Sequence, residues 1–307
     1  MKTAELTQNT KPSVKKQRKG QKLNTLLLIV AIFSIGLLTY PEAANWVSSI
    51  GHNSEISGYV KNLEKTPSAK RAEILQAAYE YNDKLQPGPL ADPYITENQD
   101  EAIRSEVYKA YEKMLRITGS QSIGTVNYPK LGIALPIYHG TADKTISKGV
   151  GHLYGTSLPI GGPSTHSVLT AHSGLPNSKL FTSLLKAEVG ETFWISVLGE
   201  DHHYEVKEVE TVLPGETDKL TIREGEDWVT LFTCSPIGIN SHRYMVHAVR
   251  TADQNVETNG TLSIGGDGVS LGFPWWAVWL VGGSTLVGLF LFRPARKNKG
   301  SDKLQTD

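Results

Sequence analysis

A chain of 307 residues with 31 Lys and Arg against 31 Asp and Glu has no net charge, and its single cysteine excludes an internal disulfide framework. The charge is unevenly placed: seven basic residues fall in the first 25 positions and five in the last 15, leaving 19 basic and 28 acidic residues between. A middle region near −9 argues against nucleic acid as a partner, because a polyphosphate needs a basic face.

Residues 1–22 are polar and basic and read as a disordered tail. An apolar run follows at 26–40, and a second, free of charge, occupies 273–292. About 20 helical residues at ~1.5 Å each cross a hydrocarbon core of ~30 Å. The second run meets that length, and the first meets it when its flanks lie in the interfaces. Trp275, Trp276 and Trp279 suit an interfacial aromatic belt. Basic residues lie before the first run and after the second, so the positive-inside rule places both termini in the cytoplasm and residues 46–272 outside. The first run also has the length of a signal-peptide core, which is the competing reading. A cell-wall sorting signal is not supported for the second run, because residues 263–272 hold no LPxTG-type motif.

Between the runs, Ile56, Tyr59, Val60 and Leu63 recur at helical spacing. Pro67-Ser68-Ala69 breaks that pattern, and Ile74, Ala77, Ala78, Tyr81 and Leu85 begin another stripe. Three prolines and a glycine in 86–96 predict an ordered loop. A third helix is expected over 100–117, with Ile103, Val107, Tyr108, Tyr111, Met114 and Leu115 as its apolar face. From Gly119 the texture changes to short β-rich runs between Gly, Pro and Asn turns: 122–128, 133–138, 166–171, 192–197, 203–212, 228–233 and 244–249, with one helix at 180–186. Seven or eight such strands predict a barrel or sandwich. Residues 252–272 have linker composition.

The lone cysteine, Cys234, ends the run at 228–233, ahead of the turn Ser235-Pro236-Ile237-Gly238. The next strand opens with Arg243, so the hairpin sets a guanidinium beside a thiol. A thiol nucleophile needs a base or cation to favour thiolate and donors for the oxyanion. Among nine histidines, His172 leaves a strand into the tight turn His172-Ser173-Gly174-Leu175-Pro176 and ranks first as the base; His242 ranks second. The competing reading makes Cys234 a small buried hydrophobe. No Cys/His cluster or spaced acidic cluster marks a metal site, and no cofactor is expected.

Several of these segments together resemble the sortases. Thr230-Leu231-Phe232-Thr233-Cys234 matches the family's TLxTC signature. Thr170-Ala171-His172-Ser173-Gly174-Leu175-Pro176 is similar to the segment bearing its essential histidine, and Asn240-Ser241-His242-Arg243-Tyr244 to the one bearing its essential arginine. Pro129-Lys130-Leu131, the run from Leu135 to Thr141 and the run from Gly149 to Pro159 resemble early barrel segments. The likeness covers about residues 70–250. The helical arm and C-terminal span resemble class C, the pilus-assembling sortases, whose lid loop carries an Asp-Pro-aromatic motif. Asp92-Pro93-Tyr94 would be that lid, with Tyr where Phe or Trp is more usual.

The resemblance implies a mainly β chain: a closed barrel of about eight strands with an N-terminal helical arm and two transmembrane helices. The divisions are a cytoplasmic tail (1–22), a span (23–45), an extracellular arm (46–118) with its lid (86–96), the barrel (119–251), a linker (252–272), a second span (273–292) and a basic tail (293–307). It further implies a membrane-anchored cysteine transpeptidase in which Cys234 is the nucleophile, His172 the acid and base, and Arg243 the oxyanion donor. The implied substrates are LPxTG-type pilins, and the implied acceptor is a pilin lysine. A housekeeping sortase acting on peptidoglycan and a non-enzymatic surface-displayed β-domain are the alternatives.

Overall fold

The computed structural model describes residues 14–85, 105–251 and 271–293. The proposed lid residues Asp92, Pro93 and Tyr94 lie outside the described residues. The chain divides into two units, one of residues 1–43 with 273–307 and one of residues 44–272.

In the first unit, the early part of α1 (Val14–Lys65) stands with α5 (Trp275–Leu291). Asn24 Nδ2 donates to Leu291 O at 2.6 Å, so the two helices run against each other. Among the described residues one helix, spanning 20–65, is long and apolar enough to cross a membrane; the apolar α5 has 17 residues.

In the second unit, the later turns of α1 bury Ile56, Tyr59 and Leu63, three of the four residues in the expected stripe. Helix α2 (Ser68–Lys84) starts directly after Pro67, which suits a helix start because proline lacks the N–H that a first turn leaves unbonded. It buries Ala78 but leaves Ala77 exposed. Its buried Asn82 donates to Leu158 O and accepts from Leu158 N, closing both backbone groups of one loop residue. The third helix corrects the expectation of 100–117. The described part is α3 (Glu106–Tyr111), capped by Ser105, and the chain leaves helical geometry by Leu115, where φ is 54°. Tyr108, Tyr111, Leu115 and Ile117 nevertheless all reach the core. The apolar spacing was real, but burial against the barrel produced it without a continuous helix.

The barrel strands are β1 (Gly124–Tyr128), β2 (Ile133–His139), β3 (Val150–His152), β4 (Thr165–Thr170), β5 (Thr192–Val197), β6 (Glu200–Val212), β7 (Asp227–Ser235) and β8 (His242–Arg250). They close in the order β1-β2-β3-β4-β7-β8-β6-β5. The expected seven runs all form strands, and the short β3 is the addition. Its place depends on Gly151, where an added Cβ would lie 2.5 Å from Gly140 O. A short helix, α4 (Asp143–Ile146), links β2 to β3. The segment Leu180–Lys186 is a 3-10 helix kinked at Phe181, not an α-helix, and its Leu180, Phe181 and Leu184 enter the core.

Strand side chains alternate between faces. Leu169, Val229, Leu231, Val246 and Ala248 belong to the barrel interior. Val168, Phe232 and Met245 form a separate cluster with Leu153 and Leu220 on the outer face of β4, β7 and β8.

Candidate active site

That alternation places the candidate residues. Cys234 follows Phe232 by two positions on β7, so it shares Phe232's outer face. Antiparallel pairing sets Cys234 directly opposite Arg243, and Phe232 opposite Met245. Directly opposed residues lie on one face with Cβ atoms ~4.5–5.5 Å apart. Cys234 and Arg243 are each 5 % exposed, which shields both the thiol and the guanidinium from bulk water. Arg243 Nη1 donates to Asn240 O at 3.0 Å and His242 O at 3.1 Å, fixing the guanidinium against the hairpin turn.

On the other side, β4 runs parallel to β7, with Thr170 level with Phe232. Two residues further along each chain come His172 and Cys234, past the last paired residues of the ladder. From the last pair of the ladder onward the seam is carried by hydroxyls. Thr170 Oγ1 donates to Phe232 O at 2.9 Å, Thr233 Oγ1 to Ala171 O at 2.8 Å, and Ser173 Oγ to Cys234 O at 2.7 Å. Three adjacent strand ends, β4, β7 and β8, thus bring the histidine segment, the thiol and the guanidinium to one end of the barrel. The structure does not do the same for His242. It precedes Arg243 on β8 and pairs with Ser235, so it faces away from Cys234 and contacts Ser241 Oγ through Nδ1.

Two contributors were not singled out in the sequence. Asp143, at the start of α4, has Oδ1 2.9 Å from His172 Nε2. Its side chain is 84 % exposed against 20 % for His172, so the pair sits at the solvent edge of the site. Nothing in the sequence links positions 29 residues apart. Ser173 lies inside the recognised segment, and its neighbour's prominence hid it.

Below the Phe232 layer, the same face carries a buried polar chain. His166 Nδ1 donates to Thr221 O at 3.0 Å, and its Nε2 therefore accepts from Thr230 Oγ1 at 2.8 Å. Thr230 has one hydroxyl proton, so the 2.8 Å contact with His247 Nδ1 is donated by His247. His247 Nε2 meets Glu210 Oε1 at 3.1 Å, a contact that requires one proton between them, and Glu210 also takes Lys219 Nζ at 2.6 Å. Burial pushes His166 down to about 4. His152, held by Tyr111 OH and Ser157 O, is likewise pushed down to about 4 by burial, and His139 to about 3. His139, His152 and His166 are therefore neutral structural parts at physiological pH. Among the described residues no group of three His, Cys, Asp or Glu side chains could hold a metal ion.

The closed eight-stranded barrel thus gathers a cysteine, an arginine and a histidine segment at three adjoining strand ends. The Sortase domain family matches residues 126–251. Sortase C-1 from Actinomyces oris is 41 % identical, with 60 % of this chain and 99 % of that chain covered and a TM-score of 0.57. A pilus-related sortase C of Group B Streptococcus is 37 % identical over 64 % of this chain and 96 % of that one, with a TM-score of 0.57. The sortase A of Bacillus anthracis is 26 % identical over 128 residues, 41 % of this chain and 58 % of that protein, so the match spans less than two thirds of this curated relative. The chain belongs to the sortase family of cysteine transpeptidases.

Proposed function

We propose that the chain is a membrane-anchored, pilus-assembling sortase that cuts LPxTG-type sorting signals and joins pilin subunits through isopeptide bonds. The observation that carries this reading is the direct opposition of Cys234 and Arg243, with the His172 loop bonded to Cys234's own carbonyl. The likeness to solved class C enzymes supports the choice of pilins over peptidoglycan.

In the first half-reaction the Cys234 thiolate attacks the Thr–Gly carbonyl carbon. The guanidinium of Arg243 stays charged and is a pure donor, so it stabilises the oxyanion and never serves as the base. Collapse breaks the C–N bond, and His172 gives its proton to the departing amine. An acyl thioester remains on Cys234. In the second half-reaction a pilin lysine amine attacks that thioester and gives a proton to His172. The C–S bond breaks, the thiolate returns and an isopeptide bond remains.

Membrane anchoring rests on the apolar 20–65 helix. The apolar α5 is the second span in this reading, and the basic tails hold both termini in the cytoplasm. The test is to combine the full chain in micelles with purified pilins carrying LPxTG-type signals. A covalent ladder that disappears when the pilin acceptor lysine is replaced is expected. Transfer to a peptidoglycan stem amine, with no ladder, would overturn the pilin assignment.

A further inference from the structure

The parallel ladder between β4 and β7 ends at Thr170 and Phe232. The chain beyond it must still hold a histidine and a cysteine at working distance. Three successive hydroxyl-to-carbonyl bonds cross the seam from the last pair of the ladder onward. The first two, from Thr170 and Thr233, end on Phe232 and Ala171. Only the third ends on the nucleophile itself, running from the residue next to His172 to the carbonyl of Cys234.

Three further hydrogen bonds of the histidine loop run elsewhere. His172 N reaches Ile146 O at 3.4 Å, Phe181 N donates to His172 O at 3.0 Å, and Gly174 N donates to Thr182 Oγ1 at 2.9 Å. Those bonds tie the loop to the β2–β3 connection and the 3-10 helix, not to β7. The Ser173 side chain is buried, so water does not readily replace its bond.

We propose that Ser173 is a positioning residue for the transfer reaction: its hydroxyl locks the His172 loop to the Cys234 peptide and sets the separation of base and nucleophile. This rests on the reading of Cys234 and His172 as nucleophile and acid–base. A hydroxyl that merely satisfied a buried carbonyl would affect stability and leave the chemistry alone. A positioning hydroxyl acts through His172, so its removal must be non-additive with removal of that imidazole.

The test is a double-mutant cycle on the full chain in micelles: wild type, Ser173→Ala, His172→Ala and both changes. The readout is the rate of Cys234 alkylation by iodoacetamide, normalised to the thiol labelled at saturation so that an unfolded fraction does not count. Ser173→Ala is expected to change the rate by about threefold or more beside His172 and to have no effect in the His172→Ala background. For cleavage of an LPxTG-type peptide, kcat falls while KM holds, and Ser173→Thr restores kcat. Ser173→Gly is the second hydroxyl-free variant if the alanine form does not fold. Equal effects in both backgrounds, or wild-type kcat in the hydroxyl-free variants, would overturn the proposal. Cleavage that persists in Cys234→Ala would instead overturn the reading beneath it.

Discussion

Replacing Thr230 with Val removes one hydroxyl and little volume from the outer face of β7. The site is fully buried, and the hydroxyl bridges His166 Nε2 and His247 Nδ1, both at 2.8 Å. Valine leaves two buried ring nitrogens without that partner. Leaving a buried polar group unsatisfied costs about 1–3 kcal/mol, and two of them give a loss of about 2–4 kcal/mol after local relaxation. For a unit the size of residues 44–272, each kcal/mol lowers Tm by about 2–4 °C, so a drop of about 5–15 °C is expected. Thr230→Ser keeps the hydroxyl and holds most of the stability. Thr230 lies four residues from Cys234, or about 13 Å along the strand, with the Phe232 layer between. Turnover per folded molecule therefore stays within about twofold of wild type. The assay is the near-ultraviolet circular dichroism melt of the full chain in micelles, with peptide cleavage normalised to folded protein. A Thr230→Val melt within about 1 °C of wild type would refute the bridging role.

Arg243→Lys keeps the charge but loses the planar fork, and cleavage of an LPxTG-type peptide is expected to fall by about 10²–10³ in kcat; near wild-type turnover would remove Arg243 from the oxyanion role. Asp143→Asn tests the solvent-edge partner of His172. Because Asp143 is so exposed, screening limits the loss to about fivefold or less, and raising the salt should narrow the difference from wild type; a loss of a hundredfold would mean that the pair works in a shielded setting. Acid should weaken the fold through His139, His152 and His166. Their folded values lie near 3, 4 and 4, below the ordinary 6.5, so the unfolded chain binds more protons between those limits. Stability is then fully present above 6.5 and is lost as pH falls towards 4, by about 2 kcal/mol for each histidine at pH 5. Urea midpoints at pH 7.5 and 5 check this, and equal midpoints would contradict it.

The barrel was legible because its strands are short β-branched runs separated by turns, and seven of them form where expected. The strand β3 escaped because Val150-Gly151-His152 has no local strand signal; its pairing with β2 and β4 is set by tertiary approach around Gly151. The 100–117 helix failed differently. Its apolar spacing matched a helix, yet Tyr108, Tyr111, Leu115 and Ile117 are buried by a helix that stops at Tyr111 and a turn beyond it. At the site, Cys234 and Arg243 were readable as hairpin partners, and the structure pairs them directly. His242, ranked second in the sequence, is set aside by the structure, since a residue adjacent to Arg243 on a strand faces the other way. Asp143 was not readable, because its contact with His172 depends on where α4 lands. The two threonines of Thr230-Leu231-Phe232-Thr233-Cys234 gain separate reasons: Thr233 stitches β7 to β4, and Thr230 bridges two buried histidines.

The central claim is that Cys234 carries the acyl group. Intact-mass and peptide-mapping mass spectrometry of the full chain, mixed with an LPxTG-type peptide and quenched in acid, measures it directly. The account predicts an adduct of the peptide's acyl portion on Cys234, released by hydroxylamine and absent from Cys234→Ala. An adduct on another residue, or undiminished peptide cleavage by Cys234→Ala, would contradict it.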